Sequence, residues 1–279
     1  MLIDTHAHLF WDSFEEDFDQ VIKRCLQNNV TTLINVGTSL ETSIKASKME
    51  STQVKFYSSV GIHPGKALQY PIPEELAKSM RELEEIYRKN PEKIVGVGEC
   101  GLDFSYLTRL DWKPQNMSDE EAKQLQIKLF QAHIDLAKKL DLPLLVHIRD
   151  DRSKNSENTE CWDLAIEMCK DSKGIWHCYS GLPQTTDKTL GTNFLFSFAG
   201  NATYPNNKYI HEAIKTIPLE RIVVETDCPF LPPQSHRGQR NEPSFITEVT
   251  EFIAEVKGVS FEEVASQTTN NVKHLLKLS

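Results

Sequence analysis

Leu144-Leu145-Val146-His147 is apolar at three consecutive positions before it turns polar. Alternation is what a half-exposed strand shows, so an unbroken apolar run followed by a turn signals a strand buried on both faces, the usual state of parallel sheets. Ile222-Val223-Val224 repeats the pattern within the run Arg221–Thr226. Further β-rich runs at Leu2–His6, Thr31–Val36, Val54–Val60, Lys93–Gly98, Gly174–Cys178 and Phe194–Phe198 bring the strand candidates to eight. Between them lie stretches of helical spacing, such as Phe14, Phe18, Val21, Ile22, Cys25 and Leu26, or Leu125, Leu129, His133, Leu136 and Leu140. Strand and helix in alternation imply parallel pairing. Eight such units predict an α/β fold, a single (β/α)₈ TIM-like barrel, with extra C-terminal helices around Pro243–Lys257 and Ser260–Leu276. No internal repeat or low-complexity linker divides residues 1–279, which read as one domain.

Composition narrows the function. With 39% apolar and 25% charged residues, 12 Gly and 13 Pro, the chain is neither disordered nor fibrous. Against 40 acidic residues stand 31 Lys and Arg, and the net charge of -9 argues against broad electrostatic capture of nucleic acid while leaving room for a local cationic site. The six cysteines form no Cys-x-x-Cys pair, which excludes a zinc ribbon and a thioredoxin motif and fits a reducing compartment, cytoplasmic or, in a eukaryote, nuclear. The N-terminus lacks the pattern of a cleaved signal and no apolar run is long enough to cross a membrane, so no membrane partner is expected. Packing on the barrel accounts for the apolar helix faces, and no obligate protein partner is evident.

The chemistry gathers at strand ends. His6 and His8 lie two apart at the end of the first strand, so both imidazoles can reach one ion. Glu99, His147, His177 and Asp227 follow the fourth, fifth, sixth and eighth strands, and these ends converge on the face where barrel enzymes carry their sites. Six nitrogen and oxygen ligands without thiolate suit Zn²⁺, Mn²⁺ or Mg²⁺ and exceed what one tetrahedral ion with an open position needs. Two divalent metal ions are therefore implied, with Glu99 or Asp227 as the bridging carboxylate. Such a pair lowers the pKa of a shared water and polarises a phosphoryl or carbonyl oxygen, which makes hydrolysis the reaction class. No Gly-x-Ser-x-Gly elbow is present, and Cys178 and Cys228, although beside ligands, read as packing residues. Glu225 shares a strand face with Asp227 and is expected to hold a ligand in place.

The segments Asp4-Thr-His-Ala-His-Leu9, Gly61-Ile-His-Pro64, Gly98-Glu-Cys-Gly-Leu-Asp103, His147-Ile-Arg149, His177-Cys-Tyr-Ser-Gly181 and Glu225-Thr-Asp-Cys-Pro-Phe-Leu231 are similar, in order, to those of the TatD-type metal-dependent deoxyribonucleases among the amidohydrolase-like barrels. The resemblance implies one metal among His6, His8, Glu99 and Asp227 and a second among Glu99, His147 and His177. It makes Glu99 the bridge and gives Asp227 the task of orienting or deprotonating the attacking water, so that Glu99 and Asp227 are the catalytic pair. It also implies that His63 contacts substrate or phosphate, and that the activity is 3′→5′ exonuclease action on DNA. Cys100, Tyr179 and the longer loops after the fourth and fifth strands depart from the commonest bacterial pattern, and none removes a ligand.

A nucleic acid held against a negative background needs cations. Arg149 and Arg152 follow the fifth strand and His236-Arg237-Gly238-Gln239-Arg240 follows the eighth, with Arg149 and Arg237 the preferred substrate contacts. Tyr179, with Phe104, Tyr106 and Tyr204, offers aromatic rings to unpaired bases, and the polar loops Ser105–Ser118 and Asp150–Glu160 border the access path. Single strands or frayed 3′ ends of DNA are the expected substrate, because the scissile phosphate must reach the ions. The alternative is a metal-dependent ester or amide hydrolase such as an aminoacyl-tRNA deacylase. A cyclic amidase's carboxylated-lysine bridge has no counterpart here, since Glu99 holds that position. A metal-containing binding scaffold is the remaining, non-enzymatic option.

Overall fold

All eight expected strands form. In this computed structural model, which describes residues 1–109, 111–153 and 155–278, they are β1 (Leu2–Ala7), β2 (Val30–Val36), β3 (Lys55–Val60), β4 (Ile94–Asp103), β5 (Leu144–Arg149), β6 (Lys173–His177), β7 (Asn193–Phe198) and β8 (Ile222–Val224). Leu110 and Lys154, within the two loops expected to be irregular, lie outside the described residues. The strands lie in sequence order, and each pairs in parallel with the next. A parallel bridge from Ala7 to Cys228 and the His8 N–H bond to the Cys228 carbonyl (3.0 Å) bring β1 against the chain leaving β8, which nearly closes the barrel.

Each crossover carries a helix: α1 (Phe18–Gln27), α2 (Leu40–Lys48), α3 (Pro73–Lys89), α4 (Asp119–Leu140), α5 (Glu160–Met168), α6 (Pro183–Thr189) and α7 (Lys208–Thr216). Local signals place their ends. Ser39 with Thr42 and Ser118 with Glu121 form capping boxes that satisfy the first free N–H groups of α2 and α4, and α4 stops at Asp141, whose φ of 52° lies in the left-handed region. The extra helices α8 (Ile246–Lys257) and α9 (Phe261–Leu276) follow as expected. α9 closes the foot of the barrel: Asn271 Nδ2 donates to the carbonyls of Leu219 (2.8 Å) and Ile222 (2.7 Å), and Thr269 Oγ1 to that of Met1 (3.1 Å). Its Val272 and Leu276 join Ile3, Ile34, Val95, Leu145, Ile175 and Val223 in an inner apolar cluster.

β4 differs from expectation. Predicted to end at Gly98, it continues through Glu99 to Asp103, so Glu99 lies inside a strand and not after one. Two glycines permit this. Gly98 (φ 151°) and Gly101 (φ 134°) pass so close to β5 that a Cβ would lie 2.3 Å from the Leu145 oxygen and 2.0 Å from the His147 oxygen. No helix among the described residues is long and apolar enough to cross a membrane.

Candidate metal centre

The inward face of the strands changes character within two residues. Leu145, Ile175 and Val223 belong to the inner apolar cluster, and His147, His177 and Glu225 follow each of them two positions on. β1 adds His6, His8 follows directly after its last residue, and β4 adds Glu99, all buried. Asp227 follows β8 in a left-handed conformation (φ 58°), fixed by its N–H bond to the His6 carbonyl (2.8 Å). All six expected ligand positions thus meet at one mouth. His6 Nε2 lies 3.5 Å from Glu99 Oε2 and 3.8 Å from Asp227 Oδ1; His8 Nε2 lies 4.0 and 3.5 Å from the same atoms. On the other side, Glu99 Oε1 is 3.0 Å from His147 Nδ1 and 3.8 Å from His177 Nε2.

The imidazoles are oriented from behind. His8 Nδ1 meets the Val36 carbonyl at 2.8 Å, His177 Nδ1 meets Glu225 Oε1 at 2.8 Å, and His147 Nε2 meets Asp103 Oδ2 at 3.0 Å. The outer nitrogens of His8 and His147 thus face hydrogen-bond acceptors and His177 Nδ1 an ion-pair partner, which aims the inner nitrogen of each ring at the centre. Cys178 N–H donates to Glu225 Oε1 (2.7 Å), and Ser105 N–H to Asp103 Oδ1 (3.0 Å), so these carboxylates are themselves held. Asp4 accepts from the N–H groups of His6 (3.1 Å) and Thr226 (3.0 Å) and from Thr226 Oγ1 (2.5 Å), tying β1 to the residue before Asp227.

Charge follows this wiring. Burial raises the Glu99 pKa, yet His63, His147 and His6 outweigh it and hold the carboxyl well below its usual range. Asp227 is lowered in the same way, burial opposing and His177, His8 and His6 prevailing. Burial lowers His147, but Asp103 and Glu99 raise it to about 10; burial likewise opposes the rise of His177 to about 9, led by Glu225 and Asp227. Burial pushes Asp4 up to about 7 against its hydrogen bonds. Burial also lifts the thiols of Cys178 and Cys228 well above their usual range, so neither is a ready nucleophile.

The residues fit divalent ions. Two triads of donor atoms, His6–His8–Glu99 and Glu99–His147–His177, each lie within 4.8 Å and share Glu99. His6 Nε2 is fully buried with no hydrogen-bond partner, a cost that a bound cation removes. Imidazole and carboxylate without thiolate suit Zn²⁺, Mn²⁺ or Mg²⁺. A third cluster, His63–Asp103–His147, is equally tight but has another explanation. His63 Nδ1 accepts the Gly65 N–H (3.0 Å), so in the neutral ring Nε2 carries the proton and has no lone pair for a metal. That N–H lies 3.6 Å from Glu99 Oε1, and burial lowers the ring's pKa to about 4, so it stays neutral.

The expected substrate contacts fare unevenly. Tyr179 is corrected: only 1% exposed, it packs against Trp162 and Phe196 and bonds Thr186 and Thr189 through its hydroxyl, so it offers no face to a ligand. Phe104 is buried as well. Tyr106 is half-buried beside His63. Arg149 is exposed at the end of β5, and Arg237 is exposed with its guanidinium 4.9 Å from the Tyr204 ring. Arg152 lies 3.5 Å from Asp150, Arg240 pairs with Asp17 (2.7 Å), and His236 pairs with Glu248 (2.8 Å) and stacks on Phe245, which commits all three to internal partners. Sequence reasoning missed Asp4 and Asp103. Both share the alternation of the ligands, two before His6 and four after Glu99, and that spacing was the available signal.

The family model for TatD-related DNases matches residues 3–277. The chain belongs to this family. The uncharacterized metal-dependent hydrolase YabD of Bacillus subtilis (strain 168) is 36% identical over 279 residues and the two chains align over their whole lengths. The 3′-5′ ssDNA/RNA exonuclease TatD of Pantoea vagans (strain C9-1) is 28% identical over 284 residues, again across 100% of both chains. Among solved structures, YjjV, a TatD homolog from Escherichia coli K12, shares the fold with a TM-score of 0.82 at 24% identity, covering 100% of this chain and 98% of that one. The expected barrel and the expected family are both borne out. The protein is a TatD-family metal-dependent hydrolase acting on ester bonds.

Proposed function

We propose that this TatD-family protein is a deoxyribonuclease that removes nucleotides from the 3′ end of single-stranded or frayed DNA, with residues 1–279 acting as one catalytic unit. The observation that carries the reading is the pair of donor triads sharing Glu99, with three imidazoles oriented from behind toward their common centre. Two divalent ions are proposed, one among His6, His8, Glu99 and Asp227 and one among Glu99, His147 and His177. Bound there, they supply Lewis acidity toward a phosphoryl oxygen and a water of lowered pKa.

The remaining work belongs to the chain. Glu99, kept ionised by the surrounding imidazoles, holds the two halves of the site together. Asp227, ionised and fixed by the backbone bond to His6, orients the attacking water and accepts its proton. His63 donates its Nε2–H to a phosphate oxygen without becoming charged. Glu225 and Asp103 keep His177 and His147 in register. Arg149 and Arg237, exposed on the loops of the mouth, contact neighbouring phosphates. Attack by water breaks the bond between phosphorus and the 3′ oxygen, releasing a 5′-mononucleotide and leaving a new 3′-hydroxyl.

The test is protein stripped with a chelator and reloaded separately with Mg²⁺, Mn²⁺ and Zn²⁺, then incubated with 3′- and 5′-labelled single-stranded DNA. Mononucleotides from the 3′ label and a shortening ladder from the 5′ label, both lost in Glu99→Ala, are the expected result. DNA left intact under all three metals overturns the nuclease reading in favour of an ester or amide hydrolase, tested on aminoacyl-tRNA.

A further inference from the structure

Six large apolar side chains stay exposed among the described residues: Met1, Trp11, Leu26, Ile44, Ile72 and Phe230. Met1 lies at the foot of β1, Leu26 and Ile44 on the outer helices α1 and α2, and Ile72 at the start of α3. Trp11 and Phe230 are different. Their ring centroids are 5.0 Å apart with planes at 88°, an edge-to-face pair. They meet beside the metal centre, 5.9 and 6.3 Å from the His8 ring. Trp11 is 36% and Phe230 43% exposed, so the pair is open to solvent at the point where substrate must arrive.

The backbone under both rings is firmly tied. Trp11 N–H donates to the His8 carbonyl (3.2 Å), and its own carbonyl accepts from Phe14 (2.9 Å), which is completely buried. Phe230 N–H donates to the Asp227 carbonyl (2.9 Å), and its carbonyl accepts from Asn241 Nδ2 (2.6 Å), a buried amide that also holds the Thr226 carbonyl (2.8 Å). The rings thus stand on the same short segments that carry His8 and Asp227. Apolar surface held out to water on a rigid support brings no folding benefit, and it is how recognition surfaces are built.

We propose that Trp11 and Phe230 form a stacking subsite for the unpaired base of the nucleotide adjoining the scissile phosphate. The partner chemistry follows from the pair: two exposed aromatic rings in contact suit a flat π-system of any sequence, and stacking is indifferent to base identity. A base at a duplex end is paired to the opposite strand and stacked on its neighbour, and drawing it onto the rings costs that pairing, so the subsite selects single-stranded ends. This inference rests on the DNA reading above and deepens it.

An oligonucleotide carrying 2-aminopurine at its 3′ terminus tests it, since stacking quenches that fluorophore before any cleavage. Stopped-flow mixing with the protein in Mg²⁺ should show a rapid quench, absent in Trp11→Ala and in Phe230→Ala and retained in Trp11→Phe. In steady state, the protein should favour a base-bearing 3′ end over an abasic one by about tenfold in KM, and both alanine variants should lose that preference. Cleavage without quenching, or alanine variants that keep the preference, overturns the subsite and leaves the nuclease standing. Quenching without cleavage supports the subsite and removes the nuclease. Neither signal removes both.

Discussion

The foot and the mouth of this barrel are built from the same strands and differ by two residues of sequence. Leu145, Ile175 and Val223 fill the foot with apolar side chains sealed by α9, whereas His147, His177 and Glu225 take the same strand face at the mouth. Burying the first set stabilises the fold by about 25 cal/mol per Å² removed from water. Burying the second set carries a desolvation cost, which the carboxylates and imidazoles offset only by pairing with one another. Two neighbouring layers therefore have separate tasks: one holds the barrel closed, and the other keeps charged groups poised by mutual pairing.

Replacing Glu99 with Gln should break this division most visibly. We expect turnover of labelled DNA to fall about 10³-fold, the scale on which loss of one preorganised electrostatic element acts. The melting temperature of the metal-free protein should fall as well, because the buried imidazoles that hold this carboxylate ionised lose their counter-charge. A variant that melts early yet turns over normally would give Glu99 to the scaffold. Leu145→Ala probes the foot in the opposite sense. It should cost about 3 kcal/mol in urea denaturation through the cavity it leaves. Turnover per folded molecule should be kept, and a loss of rate in fully folded protein would mean that the two layers are not separable.

The same contrast explains what was legible in the sequence. Consecutive apolar residues marked the buried strands, and polar residues at their ends marked the mouth, so the barrel and the six candidate ligands could be read from residue type and position alone. Contacts that depend on which way a side chain turns could not. Tyr179 stands two residues after His177, but the chain leaves β6 with Cys178 in a left-handed conformation (φ 45°), and the ring turns into the helix layer. β4 runs past Gly98, where the apolar run ends, because Gly98 and Gly101 allow close strand contact. Arg240 and His236 looked available as cations until Asp17 and Glu248, distant in sequence, were seen to pair with them.

Asp103→Asn sharpens the comparison within the mouth, separating groups that meet the centre from those that aim them. An amide keeps the size of the side chain but gives His147 Nε2 a weaker acceptor. Divalent-metal affinity by isothermal titration calorimetry should fall by about 10- to 100-fold, the usual scale for loss of a carboxylate behind a histidine ligand. Unchanged affinity would mean that the 3.0 Å contact between His147 and Asp103 does no aiming.

A buried imidazole away from both layers provides the control. His133, on α4, is fully buried; its Nε2 accepts the Ile62 N–H (3.0 Å) and its Nδ1 meets the Leu129 carbonyl (2.7 Å). Burial lowers its pKa to about 4, against the backbone bond at Leu129. Because the folded value lies below the unfolded one, near 6.5, the unfolded chain takes up the proton first. The stability that His133 contributes is complete above pH 6.5 and is lost as pH falls toward 4. At pH 5.5 the loss should be about 1.4 kcal/mol, one unit of pH below the unfolded value. His133→Gln preserves a donor and an acceptor without a titrating group, so urea midpoints of the two proteins should converge between pH 7 and 5.5. Parallel curves would mean that acid acts through the mouth alone, leaving this fully bonded histidine as silent as the apolar residues around it.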